Sequence, residues 1–83
     1  MILHVGSLPF ELDVNTLRAF FEIYGEVTNI TIVTDKISGL SKGFGFVEIT
    51  SQPDAEKAIA NLHGKEILDR VISVQPASHQ IWK

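Results

Sequence analysis

The fold turns on one stretch, Lys42-Gly43-Phe44-Gly45-Phe46-Val47-Glu48-Ile49. In an extended chain successive side chains point to opposite faces, so the octamer divides into two rows. Gly45, Val47 and Ile49 form one row; Lys42, Phe44, Phe46 and Glu48 form the other. Val47 and Ile49 belong with an aliphatic core, which turns Phe44 and Phe46 toward water. Two adjacent benzyl rings are a costly surface on a free monomer. They call for a ligand. The glycines suit this reading: Gly43 lets the preceding loop turn sharply into the strand, and Gly45 is expected to permit close packing on the helix side.

Working outward, the hydrophobic period switches in a consistent order. Upstream, Leu3 and Val5 alternate with Ile2 and His4 in a short strand. Asp13 has the character of an N-cap, with Leu17, Phe20, Phe21 and Tyr24 following at helical spacing. Leu12 and Leu17 suit a hydrophobic staple across that cap, and Gly25 is expected to supply the stop. Val27 to Val33 forms a second strand, with Ile30 and Ile32 on one face and Thr31 and Val33 on the other. A loop from Asp35 to Ser41 leads into the third strand, Gly43 to Thr50. Ser51, supported by Asp54, caps a second helix with Ala55, Ala58, Ile59 and Leu62 as its apolar stripe; Gly64 ends it. The last strand, Val71 to Gln75, sets Ile72 and Val74 against Ser73 and Gln75.

Strand, helix, strand, strand, helix, strand is a split βαβ order. With right-handed crossovers it folds as an α+β sandwich. The four-stranded antiparallel sheet takes the order 4-1-3-2, with both helices on one face. Each helix has a single apolar stripe and covers one sheet face only. The other face stays open.

Composition narrows the function. At 83 residues the chain makes one domain, expected over residues 1–77 with a tail at 78–83. It has no cysteine, which excludes disulfides and thiolate metal sites. No apolar run approaches the roughly 20 residues of a membrane helix. The net charge is −3, whereas phosphate-binding proteins usually carry a basic surplus. A nucleic-acid ligand must therefore be held by local charge placement and stacking. That disfavours duplex DNA.

A flat aromatic on a flat sheet is a platform for a nucleobase, worth about 1–3 kcal/mol per stacked base. The octamer resembles the signature of the RNA recognition motif, K/R-G-F/Y-G/A-F-V-x-F/Y, at seven of its positions. Ile49 departs from the aromatic consensus, but it is an inward residue. Leu3-His4-Val5-Gly6-Ser7-Leu8 is similar to the family's first-strand signature, with His4 where the family has Phe or Tyr. The resemblance extends over about residues 2–77. It implies a ferredoxin-like sandwich that binds single-stranded RNA on its sheet.

The expected contacts follow by position. Phe44 and Phe46 stack bases, and His4, beside Phe46 on the neighbouring strand, adds a smaller ring. Lys42, on the same face, meets phosphate, as do Lys36 in its loop and Arg70 flanking the last strand. Asn29, Thr31, Ser73 and Gln75 lie on the open face and can hydrogen-bond bases. Glu48 marks the platform's edge. The tail carrying Ile81 and Trp82 is expected to be mobile; the alternative is that the two fold across the sheet, masking it or adding a stacking surface.

The alternative function is a protein-interaction domain gripping a partner with the same aromatic face. An enzyme is not expected, since there are no paired carboxylates, Ser–His arrangement or phosphate loop. His4, His63 and His79 lack ligand-type spacing, so neither metal nor cofactor is expected. The expected partner is single-stranded RNA, with single-stranded DNA compatible with the same stacking. The chain is expected to be a monomer, cytoplasmic, or nuclear in a eukaryote.

Overall fold

The computed structural model describes residues 1–77. Its elements are β1 (Ile2–Gly6), α1 (Val14–Glu22), β2 (Val27–Thr34), β3 (Ser41–Ile49), α2 (Gln52–Leu62), β4 (Glu66–Ile67), β5 (Arg70–Val71) and β6 (Ser73–Pro76). The main sheet is antiparallel, with β2, β3, β1 and β6 side by side in that order. Read from its other edge, this is the expected 4-1-3-2 sheet. Leu17 and Phe21 of α1 share one core with Ala55, Ala58 and Leu62 of α2 and with Leu3, Val5, Val47, Ile49 and Val74 of the sheet. All five strand residues belong to the same face, so both helices cover that face.

The helix starts follow from side-chain capping. The Asp13 carboxylate accepts the Thr16 N–H at 2.7 Å, and the Ser51 hydroxyl accepts the Asp54 N–H at 3.4 Å. Each cap satisfies a backbone donor that has no partner within the helix. Gly64, at φ 84°, lies just beyond α2. Gly25 does something else. The first helix ends at Ile23 in right-handed geometry, and the left-handed glycines are Gly39, Gly43 and Gly64. A Cβ on Gly25 would lie 2.6 Å from Cβ of Asp54. The expected helix stop is a packing position, where the chain passes the start of α2.

Two further expectations are corrected. The close approach at Gly45 involves no helix: an added Cβ would collide with the carbonyl oxygen of Thr31 and lie 3.1 Å from Cα of Ile32. The β2 backbone bends over this position, next to a register shift between Ile32 and Thr34. The last strand also begins later than expected. Val71 pairs with Glu66 in a separate hairpin, β4–β5, and the edge strand β6 starts at Ser73. The hairpin turn is Leu68-Asp69, both with positive φ, 47° and 71°. That is the type I′ signature carried by residues that rarely adopt it. Backbone hydrogen bonds from Gly64 to Ile72 (2.8 Å) and from Ile72 to Lys65 (3.0 Å) tie this hairpin to the end of α2.

Candidate nucleic-acid interface

Register builds the open face. In β3 the residues alternate between half-buried or exposed and fully buried, with Gly45, Val47 and Ile49 inward. Phe44 and Phe46 therefore lie on the face away from the helices. Phe46 is paired with Thr31 on one side and with His4 on the other, and His4 is paired with Gln75. Thr31, Phe46, His4 and Gln75 make one row across all four strands. Backbone pairing alone brings four of the expected contact residues into line.

The three rings form a cluster. His4 stacks on Phe44 with centroids 5.6 Å apart and planes at 26°. It meets Phe46 edge-on at 5.4 Å and 71°, and Phe44 and Phe46 stand nearly perpendicular at 6.2 Å. Such offset and T-shaped arrangements suit the ring quadrupoles. Mutual contact also explains why both phenylalanines are only half-exposed. The platform is preformed.

Around it the polar residues divide. The Asn29 amide donates to the Glu48 carboxylate at 2.7 Å, so these two hold one another at the edge of the face. Thr31 and Gln75 keep side chains free of any protein hydrogen bond among the described residues. Lys42 and Arg70 meet His4, Phe44 and Ser73 around a hollow of about 430 Å³ at the end of the platform. Among the described residues the ion pair is Arg18–Glu22, at 3.7 Å, so neither Lys42 nor Arg70 is neutralised by a carboxylate. A chain of net charge −3 thus presents, among the described residues, two cations without a carboxylate partner beside its exposed rings.

Lys36 is not part of this cluster. It sits exposed in the turn between β2 and β3, and Asp35 closes that turn by accepting the N–H groups of Ile37 and Ser38, each at 2.9 Å. The Ser38 N–H, then that of Ile37, holds the Asp35 carboxyl below its ordinary 3.8. Ile81 and Trp82 lie outside the described residues. Among those described, no three His, Cys, Asp or Glu side chains are grouped to hold a metal ion. No helix among them is long and apolar enough to cross a membrane.

Sequence reasoning missed Phe10. It is 62% exposed, lines the same hollow, and carries the Arg70 guanidinium 5.5 Å from its ring centroid. The available signal was a large aromatic directly after Pro9 in a loop, where burial gives no reason for one.

Known proteins share this architecture. The family model described as RNA recognition motif matches residues 3–73. The glycine-rich RNA-binding protein 4, mitochondrial, of Arabidopsis thaliana is 38% identical over 78 residues, covering 94% of this chain and 57% of that protein. The crystal structure of RNA binding protein PG1 superposes with a TM-score of 0.94 at 34% identity, covering 99% of both chains. The sex-lethal protein/RNA complex gives 0.91 at 30% identity, covering 95% of this chain and 47% of that one. The chain spans only about a fifth to just over half the length of the curated relatives it matches. With the βαββαβ frame, the outward rings and a family match over most of its length, the chain belongs to the RNA recognition motif family.

Proposed function

We propose that this chain binds single-stranded RNA by stacking bases on the open face of its sheet. The observation that carries the reading is the outward cluster of His4, Phe44 and Phe46, opposite a fully buried aliphatic row. Base faces settle on Phe44 and Phe46, with His4 completing the floor. Thr31 and Gln75 offer hydrogen bonds to base edges, and Asn29 and Glu48 offer theirs as a linked pair. Lys42 and Arg70 take phosphate, with Lys36 a more distant contributor. The role is binding and not catalysis. It works in a monomer and extends to single-stranded DNA wherever no contact requires the 2′-hydroxyl. Relatives named for mitochondria and chloroplasts widen the expected setting from cytoplasm and nucleus to organelles.

Phe44→Ala and Phe46→Ala, titrated with a pool of short single-stranded RNAs, test the proposal. Each variant should keep its fold and lose about 1–3 kcal/mol of affinity. With two or three phosphates engaged, log affinity against log salt should slope about −1.4 to −2.1. Folded variants that bind as tightly as the parent would refute the stacking reading.

A further inference from the structure

The sheet face does not exhaust the aromatic surface. Phe10, in the loop between β1 and α1, stands off the sheet with 62% of its surface exposed. A lone exposed phenylalanine is unremarkable. This one differs in its neighbours. Its ring edge lies against Gly43, where an added Cβ would come within 3.3 Å of Phe10 Cε1. The Leu8 N–H donates to the Gly43 carbonyl at 2.7 Å, which fixes the start of the loop to β3. Left-handed geometry at Gly43 (φ 84°) and the absence of a side chain there together make room for the ring.

From the other side comes Arg70, aimed by the Leu68-Asp69 turn. Its guanidinium lies over the ring, 5.5 Å from the centroid. That is within cation–π reach, so Arg70 stands over one face of the ring. Phe10 also borders a second hollow of about 540 Å³, on the side of Val14 and Ile32, so its ring is approachable from two directions. The hollow that it shares with Lys42, Arg70, His4 and Phe44 is about 430 Å³ and shallow, open to solvent.

We infer that Phe10, Arg70 and Lys42 form a nucleotide subsite beyond the sheet, continuous with the platform through Phe44. The base of one further nucleotide stacks on Phe10, and its phosphate pairs with Arg70 and Lys42. The subsite rests on the RNA-binding reading above and lengthens the bound strand. Stacking accepts any base, so it adds affinity without choosing a sequence.

A length series separates the two claims. The parent, Phe10→Ala, Phe10→Leu and Phe44→Ala are titrated with uridine oligomers of increasing length. Parent affinity should rise in steps, and Phe10→Ala should lose one late step, roughly 5- to 150-fold, while keeping its affinity for the shortest bound oligomers. Phe44→Ala should weaken binding at every length. Phe10→Leu keeps apolar bulk against Gly43 without a π-face, so it should lose the same step while unfolding like the parent. If Phe10→Leu binds every length as the parent does, Phe10 only fastens the loop and the subsite is refuted. If the parent binds no oligomer of any length, the platform reading itself fails.

Discussion

The imidazole of His4 lies over the ring of Phe44, centroids 5.6 Å apart and planes 26° apart, while its edge meets Phe46. The family pattern puts a larger ring at this position, and here a small one completes the cluster. Imidazole offers a base less area than phenol or benzene does. His4→Tyr is therefore expected to tighten RNA binding by about 0.5–1 kcal/mol, part of the worth of one full stack. Fluorescence anisotropy on a labelled oligomer reads this directly. Because His4 touches both phenylalanines, His4→Ala and Phe44→Ala should not be additive. Weaker binding by His4→Tyr would mean that the site needs imidazole for its shape or its hydrogen bonds.

Gly45 supplies a stability test at an inward position of β3. An added methyl would run into the Thr31 carbonyl and press on the Ile32 backbone, and neither can turn aside as a flexible side chain would. Gly45→Ala is expected to cost about 1–3 kcal/mol or more, in line with overpacked interiors. At Gly39, by contrast, the new atom meets nothing within 4 Å, and only its φ of 76° opposes alanine. Gly39→Ala should cost about 1 kcal/mol. Urea unfolding midpoints compare the two, and a milder effect at Gly45 than at Gly39 would contradict the β2 geometry.

What could be read from sequence follows the strength of each periodic signal. Phe44 and Phe46 read as outward because Val47 and Ile49 have to be inward, and a strand offers only two faces. Asp13 and Ser51 announced their helices because a cap is local chemistry. The β4–β5 hairpin was invisible for the opposite reason. Two-residue strands show no alternation, and the Leu68-Asp69 turn lacks the Asn or Gly that usually marks its type. Gly25 reads as a helix stop and Gly45 as a close approach to the helices, and both differ in the structure, since a glycine marks a special position without saying whether turn or contact requires it. Phe10 escaped notice because periodicity speaks for strands and helices and is silent in a loop.

Acid should weaken the fold through its turn and cap carboxylates. The Thr16 N–H holds the Asp13 carboxyl below its ordinary 3.8, and the Ser38 and Ile37 N–H groups do the same for Asp35. A folded-state value lower than the unfolded one means that the unfolded chain binds protons first. The stabilisation is present above about pH 4 and is lost as pH falls through the folded values. Unfolding midpoints should be flat in this contribution at neutral pH and decline in strong acid. Asp13→Asn keeps an N-capping oxygen while removing the proton site, so its acid decline should be shallower than the parent's. Equal declines would show that the cap does not discriminate between the two protonation states.

The exposed edge of the sheet carries a device of its own. Among the described residues β6 is the edge strand beside β1, and a sheet edge invites pairing with a second chain. His63, at the C-cap of α2, places Nδ1 3.0 Å from the Val74 N–H and accepts its hydrogen. The bond pins the helix end to the edge strand. His63→Ala should cost about 0.5–1.5 kcal/mol, the worth of an ordinary hydrogen bond. The sharper reading is amide exchange: Val74 should be protected in the parent and exchange fast in His63→Ala, while core amides such as Val47 slow or quicken only with global stability. His63→Asn, which brings a carbonyl oxygen toward the same hydrogen, should restore part of the protection. Fast Val74 exchange in the parent would mean that the bond does not form in solution.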